Sequence, residues 1–238
     1  MAGSLAPINI GAPGFYGLNT QDSPTGLDPK FCLEAKNVVI DRSGRLAARK
    51  GWERFIAADA TILANGASLV HEYINSVGDT ELILAVPGGY IYSVDSSGTA
   101  VSIYTAGDWS STQWKAVNFN NKCYFFQRGH TPLVYDGTSC IKITAAGAYT
   151  GTVQTAHAGL AAFGRLWSGD TLTDKITVKW SDTLIGEAWT GGAAGSLDLN
   201  TVYGAGVRPI TALASFNGKL VIFCDKTIIL YDGADDPS

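Results

Sequence analysis

Charged residues make up only 16% of this sequence. Long amphipathic helices need more Glu, Lys and Leu than that, so a helical plan is disfavoured. No apolar run approaches the ~18 residues of a membrane-spanning helix. The start, Met1-Ala2-Gly3-Ser4, carries neither the basic region nor the apolar stretch of a secretory signal. The four cysteines, Cys32, Cys123, Cys140 and Cys224, are scattered, with no C-x-x-C pair and none of the histidine spacing of a zinc site. Buried free thiols are expected, in a protein made in a reducing cytoplasm. The three histidines, His71, His130 and His157, form no H-E-x-x-H and have no close Ser or Cys partner. No G-x-G-x-x-G follows an apolar strand, and no G-x-x-x-x-G-K-[ST] occurs. The chain is therefore expected to use no metal or nucleotide cofactor.

What the chain has is glycine, 28 residues, and aromatics, 11%, a mix suited to many short strands joined by tight turns. Two of its stretches nearly coincide. Phe119-Asn120-Asn121-Lys122-Cys123-Tyr124-Phe125-Phe126, a polar break and Leu133-Val134-Tyr135-Asp136-Gly137 recur as Phe216-Asn217-Gly218-Lys219-Leu220-Val221-Ile222-Phe223, a break and Ile229-Leu230-Tyr231-Asp232-Gly233. The copies lie 97 residues apart at the front and 96 at the back, a one-residue difference that falls in a loop, where insertion is tolerated. Each reads as a β-hairpin that ends at Asp-Gly.

Further strands are expected at Leu69–Ile74, Glu81–Val86, Tyr90–Val94, Cys140–Ile143, within Leu160–Ser168 and at Lys175–Asp182. With the leading strands centred on Leu84, Cys123, Leu166 and Leu220, the steps are 39, 43 and 54 residues. Propeller blades repeat every ~40–50 residues, whereas sandwich strands recur every ~8–12. The expectation is an all-β fold of β-propeller-like repeats of antiparallel hairpins, about four blade-like units over residues 59–238. A propeller must protect its edges, so a chain stopping just after Gly233 reads as the front of a longer protein, or as one whose edge another chain or its own arm covers.

Residues 1–58 read differently. Pro7, Pro13, Pro24 and Pro29 with Gly11, Gly14, Gly17 and Gly26 describe an extended N-terminal arm whose apolar residues, Phe15 and Tyr16 among them, need a surface to lie on. A basic hairpin follows, Asn37–Asp41 returning through Arg45–Trp52. Lys36, Arg42, Arg45, Arg49, Lys50 and Arg54, against Asp41 and Glu53, give it +4, which leaves −8 on the rest of a chain of net charge −4. Such charges either coat a solvated face or dock on a carboxylate-rich partner or a nucleic-acid backbone.

Two tryptophan regions bear on a second possibility. Ser181–Trp189 comes near the Asp-box turn of sialidase-like propellers, but Asp182 directly follows Ser181, so the spacing fails. Asp182 is expected to bond nearby backbone amides, with Trp180 and Trp189 packed across the turn. Trp109 and Trp114 fit either packing at a blade edge or a sugar platform. A carbohydrate-binding or glycan-degrading propeller is the alternative these residues keep open.

Gly17-Leu18-Asn19-Thr20-Gln21-Asp22-Ser23-Pro24, then Glu34–Leu46 with Arg49-Lys50-Gly51-Trp52, resembles the opening of tail-nozzle proteins of short-tailed bacteriophages, the tail tubular protein B-like group. There a G-[IL]-N-x-x-D-x-P arm precedes an A-x-N-x-x-x-D-x-x-G-x-L-x-x-R-x-G hairpin. Gly164–Trp167 leading to Val178–Asp182 and Trp189, and Phe216–Leu220 leading to Tyr231–Gly233, look like that group's blade hairpins. Nozzle proteins are generally longer, so the resemblance implies an N-terminal portion or a reduced relative. It further implies a structural virion protein of the tail, without a catalytic site. Copies, usually six, would form a ring below the head–tail adaptor, pass double-stranded DNA through a lumen without reading its sequence, and receive tail fibres or spikes outside. The arm and the basic hairpin would be its docking elements.

Overall fold

A computed structural model describes residues 16–28, 30–40, 42, 45–51, 53–56, 59–75, 77–105, 113–143, 153–203, 206 and 209–234. The chain divides into two compact units, Met1–Arg54 and Phe55–Ser238.

In the first unit, β1 (Gly17–Leu18) pairs in parallel with β2 (Phe31–Cys32), and β3 (Val38–Ile40) pairs antiparallel with β4 (Leu46–Ala48). The register Val38↔Ala48, Val39↔Ala47, Ile40↔Leu46 is that of the expected hairpin. Asn19 supports the bend after β1, its Oδ1 accepting from the amides of Gln21 and Asp22. None of this unit's described residues is buried.

The second unit is a run of four antiparallel sheets, each an up-and-down meander in chain order. The first holds β5 (Leu69–Ile74), β6 (Thr80–Val86), β7 (Tyr90–Val94) and β8 (Ala100–Tyr104). The second holds β9 (Lys115–Phe119), β10 (Lys122–Phe126), β11 (Leu133–Tyr135) and β12 (Cys140–Lys142). The third holds β13 (Ala158–Ala162), β14 (Arg165–Gly169), β15 (Thr177–Trp180) and β16 (Gly195–Asp198). The fourth has three strands, β17 (Ile210–Phe216), β18 (Lys219–Cys224) and β19 (Ile228–Tyr231). Its described residues also form two short helices, α1 (Ala60–Asn65) and α2 (Leu199–Tyr203). The all-β expectation holds.

The repeated Phe-Asn-x-Lys signal is a two-residue hairpin turn with both central residues at positive φ: Asn120 and Asn121 at 46° and 59°, Asn217 and Gly218 at 47° and 74°. Phe163 and Gly164 form a third, at 54° and 66°. This geometry matches the right-handed twist of the flanking strands, and Asn and Gly tolerate it best. Phe163 is the costly member of the set, and its ring meets Trp167 edge-on at 6.4 Å.

These turns correct the strand count. Leu84, Cys123, Leu166 and Leu220, expected in leading strands, all sit in the second strand of their sheet, β6, β10, β14 and β18. β5 coincides with an expected strand, but in the second, third and fourth sheets the preceding strands carry many small or polar residues, as in Lys115-Ala116-Val117-Asn118-Phe119, and so lack a strong apolar signal. They have small side chains because they crowd together: β5 meets β9, β9 meets β13 and β13 meets β17. At Gly159 in β13 a Cβ atom would stand 2.4 Å from Phe126 Cδ2, so the glycine is required by close approach.

Strand alternation sends successive side chains to opposite faces, and the cores follow from it. Cys123 and Phe125 of β10 join Tyr73, Ile83, Ala85 and Ile91 between the first and second sheets. Tyr124 and Phe126 join Val134 and Leu166 between the second and third. Trp167, Val178 and Trp180 join Leu213, Leu220, Ile222 and Ile229 between the third and fourth. On the outer side of the first sheet, Leu84, Val86, Tyr92 and Val94 are covered by Ile56 and by Ile62 of α1, a helix capped by Asp59 Oδ1, which accepts from the amides of Thr61 and Ile62.

Cys123, Cys140 and Cys224 are buried free thiols as expected, while Cys32 is only half-buried. Burial pushes the Cys140 thiol up to about 12 and Cys123 higher still, which keeps both protonated and unreactive. Trp180 and Trp189 do not pack together: Trp180 belongs to the core between the third and fourth sheets, Trp189 to that between the second and third. The chain reverses through the Asp182–Ile185 bridge, which swings Trp189 to the other side.

Candidate functional site

The basic hairpin owes its shape to a three-residue ladder and a closing bond from the Arg49 amide to the Asn37 carbonyl, 2.8 Å. That ladder sorts the charges. Arg42 and Arg45 flank the reversal, while Lys36, Arg49 and Lys50 gather at the open end, with Arg54 beyond; all six are exposed. Lys36 pairs with Glu34 across the surface. Tyr16, at the start of β1, is exposed, lies 6.3 Å from the Phe31 ring and has Lys30 Nζ 5.8 Å from its ring centroid. Phe15 lies outside the described residues. Between the charged ends, Val38, Val39 and Leu46 are also exposed. The surface therefore carries cations and apolar side chains on a hairpin none of whose described residues is buried, and an isolated two-stranded hairpin is at best marginally stable in water.

The second unit holds polar features that no local sequence pattern announces. Arg128 pairs with Asp170, whose side chain is 2% exposed, and Lys122 Nζ sits 2.5 Å from Glu187 Oε1, whose side chain is 3% exposed. Both pairs bridge the second and third sheets, across 42 and 65 residues of sequence. His157 stands beside the first pair, its amide donating to the Asp170 carbonyl at 3.0 Å. Burial, helped by Arg128 and Lys115 and opposed by Asp170, lowers its pKa from 6.5. A histidine held neutral in the fold contributes stability above its unfolded pKa and loses it as pH falls below that value and through the lower folded one. Stability to urea should therefore decline as pH drops below 6.5, and the decline should be shallower in His157→Gln; equal slopes for the two proteins would contradict this.

An open cleft of about 860 Å³ lies between the first and second sheets, lined by Asp79, Glu81, Ser93, Asp95, Tyr135 and Thr138 among others. Glu81 Oε2 accepts from Ser93 Oγ at 2.5 Å and Tyr135 Oη at 2.9 Å, while Asp95 closes its own turn through the amides of Ser97 and Thr99. Glu81 and Asp95 thus hold strand ends and a turn in place. Among the described residues, no group of three or more His, Cys, Asp or Glu side chains is arranged to hold a metal ion.

Comparison with protein-family models and with curated proteins finds no match. The functional reading rests on the residues themselves. Of the tryptophans that kept a sugar platform open as the alternative, Trp114, Trp180 and Trp189 are buried and offer no open face, and Trp109 lies outside the described residues. Asp182 accepts from the amides of Thr183 and Ala193, at 2.7 and 2.9 Å, which is the structural role its position suggested. Among the described residues, no helix is long and apolar enough to cross a membrane.

Proposed function

We propose that this chain is a structural subunit of a short-tailed phage tail nozzle, and that it works by assembly. The four consecutive sheets are read as blades of a propeller-like array. The first unit is read as the docking element that seats the subunit on the head–tail adaptor or on a neighbouring copy in a ring. DNA passes through the ring's lumen, and tail fibres or spikes attach to its outer surface.

One observation carries the reading. The basic hairpin exposes both its charges and its apolar strand residues, and no described residue of its unit is buried, so its order depends on a partner. The resemblance of Gly17–Pro24 and Glu34–Trp52 to the nozzle opening supplies the kind of partner. Charge supports it as well: a local +4 on a chain of net −4 can grip an acidic protein while the rest of the subunit repels DNA phosphate, as a channel must.

The test is reconstitution. Mixed with adaptor rings, the chain is expected to co-sediment with them at a fixed ratio, more weakly as salt rises. If it stays monomeric and unbound with adaptor rings present, the proposal fails.

A further inference from the structure

The fourth sheet packs against the third on one side and is partly exposed on the other. Leu213, Ile222 and Ile229 stand in register on the side that packs against the third sheet. The other side carries Ala214, Val221 and Leu230 in one row and Ala212, Phe223 and Ile228 in the next, with Phe216 at the turn. Phe216, Ile228 and Leu230 are 72%, 61% and 60% exposed. Contiguous apolar surface of this kind is uncommon on a monomer that has no use for it.

The internal repeat shows what such a face is for. In the second sheet Tyr124 pairs with Val134, as Val221 pairs with Leu230 in the fourth. Tyr124 and Val134 are 1% and 4% exposed because the third sheet lies over them. The same side of the fourth sheet is apolar in the same pattern, but there only Val221 is buried, at 6% exposed, while its partner Leu230 is 60% exposed.

At the other end of the series, the first sheet turns its outer side to Ile56 and α1, which cover Leu84, Val86, Tyr92 and Val94. They leave part of that side open. Val70, paired with Leu84, and Ile74, paired with Thr80, lie on the same side of β5 with Glu72 between them, and both valine and isoleucine are more than half exposed.

We propose that the partly exposed face of the fourth sheet in one copy, with Phe216, Ile228 and Leu230, stacks on the β5 side of the first sheet in a second copy, head to tail. The contact continues across the subunit boundary the sheet-on-sheet series already built three times within the chain. Two facing sheets pack with apolar side chains interdigitated, and a ring closes only if each copy presents two different complementary faces. The inference deepens the ring reading above by naming those faces.

Sedimentation velocity on the full chain over a range of micromolar concentrations tests it. Wild type is expected to run above its monomer mass of 25.1 kDa. Ile228→Asp with Leu230→Asp should return it to monomer, and so should Val70→Asp with Ile74→Asp; both pairs change exposed residues, so circular dichroism should be unaltered. Mixed in equal amounts, the two variants should form a capped heterodimer, because each retains the face the other lacks. A monomeric wild type overturns the contact, and so does a Val70/Ile74 variant that still associates, since that would place fourth sheet against fourth sheet. Either failure leaves docking on the adaptor, read in the reconstitution above, untouched.

Discussion

Trp167→Ala is expected to destabilise the second unit by about 3–5 kcal/mol, the range for removing a fully buried large aromatic. Trp167 is 0% exposed, in the middle of β14. Its ring lies 5.3 Å from Trp180 and 6.4 Å from Phe163, and its Nε1 donates to the Ala162 carbonyl at 3.0 Å. One side chain thus fills the interface between the third and fourth sheets and braces the Phe163-Gly164 turn that joins β13 to β14. Domains have about 5–15 kcal/mol of stability in all, so the loss is a large fraction of the total. Trp167→Phe keeps part of the buried area and gives up the hydrogen bond, and should lose clearly less. Chemical denaturation monitored by circular dichroism gives both values. A loss under about 1 kcal/mol for the alanine variant, the size of an exposed-surface change, would mean that the third and fourth sheets do not pack as described.

Reversing Arg45, Arg49 and Lys50 to glutamate should abolish docking of the chain on its ring partner and leave the second unit's melting temperature unchanged. The substitutions turn the hairpin segment from +4 to a net negative patch of the same sign as the rest of the chain. Complementary charge accelerates protein association by roughly 10- to 1,000-fold, and like charge suppresses it. The residues belong to the first unit and to none of the core clusters of the second, so folding there is not at stake. Co-sedimentation with adaptor rings reads the effect, and unchanged binding by the triple variant would assign the charges to a solvated face.

Much of the second unit was legible because its signals are local. Asn-Asn and Asn-Gly between apolar runs mark two-residue turns, and the long runs of β6, β10, β14 and β18 are the central strands, buried on both faces. β5 has its expected bounds, but the first strands of the other three sheets were harder to see, for a physical reason. They crowd against one another, so they carry Ala158, Gly159 and Ala161 or Ala212 and Ala214, and alternation among small residues leaves almost no hydrophobic trace. The small helix α1 was also missed, since six residues make less than two turns. The pairs Arg128–Asp170 and Lys122–Glu187 depend on which sheet faces which, information that no spacing along the chain contains. The basic hairpin lay at the opposite extreme: its strands, turn and charges are contiguous, so its exposed surface could be read directly from residues 36–54.

Electron microscopy of assembled phage particles, with this subunit labelled at its N-terminal unit, tests the central claim most directly. The account predicts label in a ring of copies around the tail axis, directly below the head–tail adaptor. Particles that carry no label, or label scattered without symmetry about the tail axis, would contradict it.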